Sequence, residues 1–535
     1  MPRMRIDKLG SIGLNTDVQP YLLPPQAWTK MTNCQTQDGE LRSAVGERKL
    51  FDLQIRPLYH TAFRSIAGIQ YVIVSDGASV HAYTMDGSVE DITPEETGTP
   101  APWSEGFVTF TNMNGVLVVN SWTDGPFYWA GPGSKLVPLP GWNSTWKCRE
   151  MVSHRYNLVA LNMTEDGEVY PHKVRWSSAA AEGDIPNEWE PLAENDAGFD
   201  LVGETTGHIV GARLVRDSLF VVKEDAVYDM RWIGGEYVMQ LTRLMGAKTG
   251  TRLQRGFVGI GGALSIFTTA DLLAFDGQQT TSMVDMRVRA GMYANLSTDE
   301  WELAQLFYAQ TTSNLVVAIV DAGYQHLSRA FTFNLEENTW GVRQLHNSYG
   351  FDNALIETRD GMPTWDQMGP GVPYNIAAPV WVQGGTWDDQ TNGSWNQGVY
   401  RPSTPDIIVY ESSADDTAWW VSVLAISTGN HDGTAKFCSA ERIAIPIGDA
   451  SKPYMVTEVW PELRGESPVN LWIGAQDAPN GQVRWEGPFP FTPTQGVHIT
   501  PRVTGRFLAF RIESESLGDW ALGAYSVQFE EAGDR

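Results

Sequence analysis

The sequence predicts an all-β fold, a β-propeller of six blades followed by a β-sandwich, and three observations carry this prediction. The 535 residues include 52 Gly and 30 Pro, 11% are aromatic and only 19% are charged, a composition typical of short strands joined by turns. One phrase of turns and apolar runs recurs between residues 60 and 345, and alternating strands fill residues 405–532. A chain of this length exceeds one ordinary compact core, which indicates two or three domains.

Residues 1–55 are predicted to run as short extended pieces that lead into the propeller. Gly13 and the Pro20, Pro24 and Pro25 series exclude a continuous helix, because proline removes a backbone donor and biases the preceding residue toward extended conformations. The side chains of the Asn15 to Asp17 stretch can cap local turns, and Asp38 with Gly39 is typical of a hairpin turn.

The propeller is predicted over residues 56–365 from the recurring phrase. Its predicted strand starts are Tyr71, Val116, Asn157, Ser218, Ala263 and Asn314. The intervals between them are 45, 41, 61, 45 and 51 residues, and four of the five suit a four-stranded blade. The long interval coincides with the polar stretch 177–200, interpreted as an insertion. Six periods indicate six blades, although an error of one in this count would give five or seven. A long meander or stacked sandwich stays open as an alternative.

Residues 366–404 are predicted to connect the propeller to a C-terminal β-sandwich over 405–535. The connecting region embeds tryptophans among Gly, Asn and Asp, and Trp381, Trp387 and Trp395 are candidates for assembly contacts because tryptophan is enriched at interfaces. The alternative is that they pack beneath their own loops. The alternating strands that follow, such as the run YMVTEVW, favour a sandwich.

Charge and cysteine content exclude several classes of protein. The formal net charge of −26 argues against a nucleic-acid-gripping protein, because phosphate binding relies on Lys and Arg. Residues 1–50 have a net charge of +2 and residues 366–535 of −11, so the acidity lies in the body and tail, where it serves solubility or forms a channel wall along which DNA slides.

The three cysteines are far apart, which indicates neither a disulfide framework nor a zinc cluster but assembly in a reducing cytoplasm. No apolar stretch has the length of a signal peptide core or of a membrane span.

No catalytic, metal-binding or cofactor-binding constellation is predicted. The nine histidines are scattered without metal-ligand spacing, and neither the nucleophile elbow nor a phosphate-cradling glycine motif is present. His172 beside Lys173 and Arg175 could serve as a general base, but a solvated turn histidine is the simpler interpretation. Adjacent acidic doublets point to opposite faces of a strand and do not supply facing carboxylates. The chain is therefore expected not to be an enzyme.

Several phrases of the chain resemble tail nozzle proteins of short-tailed bacteriophages, also called packaged-DNA stabilisation proteins. The resemblance begins in the opening, in Gly13-Leu14-Asn15-Thr16-Asp17, Pro20 to Pro25, Ala27-Trp28, Asn33, Asp38-Gly39 and Arg42. Later matches, in the same order along the chain, are His172 to Ser177 with Trp189, Leu219 to Trp232, Gly246-Ala247 and Gly261-Gly262. The C-terminal run from Gly505 to Arg511, with Trp520 and Tyr525, resembles part of several phage tail proteins.

The resemblance implies a structural virion protein that forms the distal nozzle, extends the DNA channel and helps to retain and then release the genome. It implies a homohexamer docked by a platform onto an adaptor ring below the portal, with the propeller near a fibre, spike or plug protein. DNA would pass through the channel without sequence-specific binding. The opening segment and the C-terminal sandwich would form the platform, and Asn15, Asp17, Trp28, Trp381, Trp387 and Trp395 would be assembly contacts. The location would be the virion tail, after assembly in the bacterial cytoplasm.

A second hypothesis is a propeller that binds glycans or hydrolyses glycosidic bonds, because one fold hosts many functions. Clustered tryptophans would then contact sugars. The aspartate box typical of sialidases is not repeated in the sequence.

Overall fold

The structure is a computed structural model that describes residues 2–95, 103–234, 238–247, 249–356, 405–425, 432–449, 451–465, 467–494 and 496–532. The opening segment contains seven short strands and one 3-10 turn at Pro20–Leu22. The strands are β1 (Arg3–Asp7), β2 (Gly13–Leu14), β3 (Ala27–Trp28), β4 (Lys30–Thr32), β5 (Cys34–Gln37), β6 (Glu40–Ser43) and β7 (Gly46–Leu53). The prediction of short extended pieces is confirmed.

Five separate antiparallel sheets of four strands follow, and each is one blade. Blade 1 contains β8 (Tyr59–Arg64), β9 (Gln70–Ser75), β10 (Val80–Thr84) and β11 (Val89–Asp91), and blade 2 contains β12 (Val108–Met113), β13 (Val116–Ser121), β14 (Gly125–Trp129) and β15 (Leu136–Pro138). Blade 3 contains β16 (Lys147–His154), β17 (Asn157–Glu165), β18 (Glu168–Trp176) and β19 (Gly198–Leu201). Blade 4 contains β20 (Ile209–Val215), β21 (Ser218–Lys223), β22 (Val227–Trp232) and β23 (Met239–Arg243). Blade 5 contains β24 (Phe257–Ile260), β25 (Ala263–Phe267), β26 (Leu272–Phe275) and β27 (Thr280–Ser282).

Blades 6 and 7 share one long strand. After helix α1 (Arg289–Tyr293) and a 3-10 turn at Trp301–Leu303, blade 6 contains β28 (Gln305–Ala309), β29 (Asn314–Ile319), β30 (Leu327–Asn334) and the first part of β31 (Thr339–Ala354). The register of β31 shifts between Ser348 and Gly350. Its second part then pairs with β32 (Asp406–Ser412), β32 pairs with β33 (Trp419–Ala425), and β33 pairs with β7.

The described residues therefore form seven blades around one axis, not six. Each innermost strand contacts the next, and the ring closes where β31 contacts β8. The propeller itself is confirmed, and the predicted strand starts fall at the second strand of blades 1 to 6, with Tyr71 one residue inside β9. The seventh blade was missed because its outermost strand, β7, comes from the opening segment, far in sequence from its partners. The predicted limits of 56–365 and 405–535 are corrected accordingly, since β7, β32 and β33 belong to the propeller.

The inner strands are buried on both faces, which explains their continuous apolar runs. β9 and β21 are buried along their whole length, because each sheet lies between two neighbouring blades. The predicted insertion at 177–200 lies between β18 and β19, where its Trp189 is buried.

The rest of the chain forms a two-sheet sandwich to which both chain ends contribute. Its strands are β34 (Lys436–Pro446), β35 (Tyr454–Gly465), β36 (Val469–Gln476), β37 (Arg484–Phe491), β38 (Val503–Gly505), β39 (Phe507–Ser516) and β40 (Trp520–Glu531). One sheet has the order β37-β36-β39-β34-β4, and the other joins β5, β6, β40, β35 and β38 to the edge of blade 6, with β1 on β40. We call this sandwich, together with residues 2–45, the platform. Its core is continuous with that of blades 5 and 6, so platform and propeller are packed as one body.

Candidate functional site

Asn15 and Asp17, two of the predicted assembly contacts, bind the opening segment to the chain's own propeller. The Asn15 side chain donates to the Met286 carbonyl at 3.0 Å and accepts from the backbone N–H groups of Asp17 and Val18. The Asp17 carboxylate accepts from the backbone N–H groups of Arg289 and Ala290 at 3.1 and 2.8 Å. Asp17 thus satisfies donors at the start of α1, which is the role of a helix cap.

Trp28, the third predicted contact in the opening segment, is a core residue. Its side chain is only 1% exposed, its indole N–H donates to the Leu9 carbonyl at 2.7 Å, and its ring lies 6.4 Å from that of Phe510. A tryptophan enclosed in this way cannot anchor a neighbouring subunit, so its assignment as an assembly contact is wrong. Trp381, Trp387 and Trp395 lie outside the described residues.

A cavity of about 840 Å³ lies on the propeller axis, and all seven innermost strands contribute to its wall. The wall includes residues near the starts of β8, β12, β24 and β28, together with side chains from β16, β20 and the second part of β31. Five arginines and four carboxylates line it, namely Arg56, Arg149, Arg213, Arg252, Arg255, Glu150, Glu300, Glu302 and Asp352. An arginine excess is unexpected in a chain with a net charge of −26, and it makes this cavity the candidate functional site.

Arg255 is held in the wall by neutral acceptors. Its guanidinium donates to Nε2 of His60 and to the Tyr349 carbonyl, both at 3.1 Å, and to the Leu58 carbonyl at 2.9 Å. Nδ1 of His60 lies 2.9 Å from the Asp352 carboxylate. Burial and the neighbouring Arg255 lower the pKa of His60, so the ring is neutral near pH 7, donating to Asp352 and accepting from Arg255.

Tyr410 completes this buried chain of polar groups. Its ring stacks on His60 with 3.9 Å between centroids, and its hydroxyl donates to Asp352 at 3.0 Å. Burial, together with the Asp352 charge, raises the pKa of Tyr410. The hydroxyl therefore stays protonated and donates to the Asp352 carboxylate. The network is rigid and satisfied, which fixes the direction of the Arg255 guanidinium.

Arg213 and Arg149 differ in how they are held. Arg213 forms an ion pair with Glu150 at 2.7 Å and lies over the Phe257 ring at 4.7 Å. Arg149, on β16, has no ion-pair partner within 4.0 Å among the residues that the structure describes. Its guanidinium is thus a positively charged group on the cavity wall that is not already bound to a carboxylate.

Gln254 and two glutamates add further hydrogen-bonding groups to the wall. Both polar atoms of the Gln254 amide are buried and have no hydrogen-bond partner among the described residues. Glu300 precedes the short turn before blade 6, Glu302 lies within that turn, and neither forms an ion pair within the described parts of the chain. The wall therefore offers positive groups on blades 3 to 5 and carboxylate acceptors beside blade 6.

A second cluster, Glu47, His346 and Glu411, brings its potential ligand atoms within 4.8 Å of one another. Both glutamates are buried, but Glu47 is already bound by the Arg343 guanidinium at 2.9 Å, and Glu411 accepts from the Trp420 indole at 3.0 Å. These hydrogen bonds occupy carboxylate oxygens that a metal ion would need. We therefore assign no metal to this cluster.

Sequence reasoning missed the axial cavity because its residues come from seven separate segments. Arg213 interrupts an inner strand that is otherwise apolar, and this was the one local signal available, because Arg149 lies in a largely polar strand. His60 was one of nine scattered histidines, with nothing in the sequence to place it beside Asp352. His172, considered as a general base, lies near His208 with 5.9 Å between ring centroids.

Comparisons with known proteins carry no argument about the fold or the function of this chain. No family model and no curated protein matches the chain. Among solved structures, a streptogramin B lyase is 10% identical with a TM-score of 0.37, over 58% of this chain and 91% of that one. The Pan2 WD40 domain of Neurospora crassa is 8% identical with a TM-score of 0.35, over 58% and 91%. BBS1N in complex with ARL6DN is 10% identical with a TM-score of 0.37, over 71% and 97%. Similarity at this level carries no inference about activity.

Membrane insertion through a helix finds no support in the described parts of the chain, because none of their helices has the length and apolarity that a span requires.

Proposed function

We propose that this protein is a structural component of a short virion tail, the distal nozzle below the adaptor and portal, and that it has no enzymatic role. The partners in this proposal are five further copies of the chain, the adaptor ring, and a fibre, spike or plug protein. DNA would pass along the acidic channel of the ring without sequence-specific binding. The protein would reside in the virion tail after assembly in the bacterial cytoplasm.

The observation that supports this proposal most is how the two chain ends are joined. The phrases that resemble nozzle proteins begin in the opening segment and continue in the propeller, and a run near the C-terminus resembles several phage tail proteins. In the structure, β4 pairs with β34, and β1 and β6 pair with β40. A platform built from both chain ends and packed against a propeller is the arrangement that the resemblance implied.

The same architecture changes which residues we propose for subunit contacts. Asn15, Asp17 and Trp28 bind within their own subunit. In contrast, Tyr21 and Leu22 of the 3-10 turn between them are 41% and 64% exposed. Exposed aromatic and aliphatic side chains on a rigid turn are suited to bury area against a neighbour. We therefore place the ring contact of the opening segment at Tyr21 and Leu22.

Native mass spectrometry and negative-stain imaging of the protein with its adaptor ring would test the proposal. We expect sixfold rings that add to portal-adaptor complexes, because a ring closes through heterologous contacts. The double variant Tyr21→Ser with Leu22→Ser should lose ring formation while keeping the monomer's thermal unfolding temperature. Ile66→Ser is the matched control, because Ile66 is 61% exposed on blade 1. A protein that stays monomeric with its adaptor and cleaves surface polysaccharide would contradict the proposal.

A further inference from the structure

We infer that the axial cavity binds an acidic sugar, a ligand with one carboxylate on a hydroxyl-rich ring. This inference concerns the propeller alone and does not depend on the proposed role in a virion tail. It also differs from the glycan-binding hypothesis drawn from the sequence, which relied on tryptophans outside the described residues.

The carboxylate would be recognised by Arg149 and Arg255. A guanidinium presents parallel N–H donors that match a carboxylate, and such charge-assisted bonds are among the stronger ones in proteins. Arg149 has no ion pair among the described residues, and the hydrogen bonds of Arg255 go to neutral acceptors. Arg213, by contrast, is bound to Glu150. The two arginines that line the cavity without a direct carboxylate partner are thus the anion-binding pair.

The remaining wall fits hydroxyl groups and the apolar face of a sugar ring. The Gln254 amide has a donor and an acceptor that are buried and find no partner among the described residues, and polar groups in such positions are costly unless a ligand or water satisfies them. Glu300 and Glu302 can accept hydrogen bonds from ligand hydroxyls. Tyr59 and Phe107, whose rings lie 5.3 Å apart on the wall, provide an aromatic surface. The volume of about 840 Å³ lies within the range of about 300–1,000 Å³ usual for small-ligand sites.

The charge balance favours a single carboxylate over a phosphate. A phosphomonoester carries a charge of about −1.5 to −2 near pH 7, and Glu300, Glu302 and Asp352 line the same cavity. Repulsion from these three groups disfavours a dianion. A carboxylate has a single negative charge and is repelled less. The hydroxyls of the sugar can donate hydrogen bonds to the nearby glutamates.

Isothermal titration calorimetry on the full chain would test this inference, with D-glucuronate, D-galacturonate and N-acetylneuraminate as separate ligands. D-glucose and inorganic phosphate are the comparison compounds. We expect binding of at least one acidic sugar and weaker binding of glucose and phosphate. Failure of all three acidic sugars to bind would overturn the inference, as would equal binding of glucose or binding of phosphate alone.

Two variants assign the binding to this cavity. Arg149→Gln should weaken the affinity about tenfold, the effect of losing about 1.4 kcal/mol of interaction, while leaving thermal unfolding unchanged. Arg149→Lys keeps the charge but loses the parallel N–H donors of the guanidinium, so its affinity should lie between those of the wild type and Arg149→Gln. Arg484→Gln is the control, because Arg484 forms an exposed ion pair with Asp477 on the platform. Binding that Arg149→Gln does not alter would overturn the proposed site.

Discussion

The platform and the propeller axis use their buried polar groups in opposite ways. In the platform these groups join distant parts of the chain: the Asn33 amide donates to the Phe437 carbonyl at 2.7 Å, and the Arg442 guanidinium donates to the Leu23 carbonyl at 2.8 Å. At the axis, Arg149 and Gln254 have no such partner among the described residues. These two platform groups hold the chain ends together, whereas Arg149 and Gln254 at the axis are open to a ligand.

The largest effect is expected where the platform's two chain ends meet. Trp28→Ala should lower the free energy of unfolding by about 3–5 kcal/mol, because it leaves a cavity and an unpaired Leu9 carbonyl. Chemical denaturation measures this change. Trp232→Ala is the control, since Trp232 is 45% exposed. Equal, small effects of the two substitutions would show that Trp28 does not hold the two chain ends together.

The second prediction concerns Lys436, whose ammonium donates to the carbonyls of Ala44 and Val45. Burial, aided by the Arg343 charge, lowers the pKa of Lys436 to about 8, below its usual value of about 10.4. Between these values the unfolded chain binds more protons than the folded chain, so this group makes stability rise with pH. The slope is at most about 1.4 kcal/mol per pH unit.

The difference in unfolding free energy between the wild type and Lys436→Met, measured from pH 7 to 10.5, isolates that contribution. The wild type should gain stability relative to the variant above about pH 8. Cys34 and Cys438 titrate nearby, and burial raises the pKa of both thiols. They are present in both proteins, so comparing the two largely removes their contribution. A difference that does not change with pH would contradict a lowered pKa for Lys436.

The sequence predicted the features that depend on local residue patterns and missed those that depend on contacts between distant parts of the chain. The second strands of six blades were located because each is a dense apolar run bounded by turns, which is a local signal. The seventh blade was missed because β7 and β33 are brought together only by closure of the ring. Trp28 was misassigned because a single sequence does not distinguish a tryptophan in a core from one at an interface. The arginines of the axis become one site only after seven strands converge.

A smaller effect is expected where the opening segment meets α1. Asp17→Ala removes the acceptor of two backbone N–H groups and should cost about 1 kcal/mol, the usual effect of losing a helix cap. Asp17→Asn should restore only part of the loss, because the two N–H groups bind different carboxylate oxygens and the amide of asparagine has a single acceptor oxygen. Denaturant midpoints of the two variants give the comparison. An Asp17→Ala protein as stable as the wild type would show that this contact does not hold the segment.

The smallest effect on stability is expected at the propeller axis. This substitution tests most directly whether the axis differs from the platform. Arg149→Gln should change the free energy of unfolding by no more than about 0.5 kcal/mol, as for an open site without special partners. Arg255→Gln should cost more, because it removes three hydrogen bonds from the network around His60. Calorimetric unfolding of both variants measures the difference. If Arg149→Gln destabilised the protein as much as Arg255→Gln, Arg149 would be part of the scaffold, and the axis would hold its polar groups as the platform does.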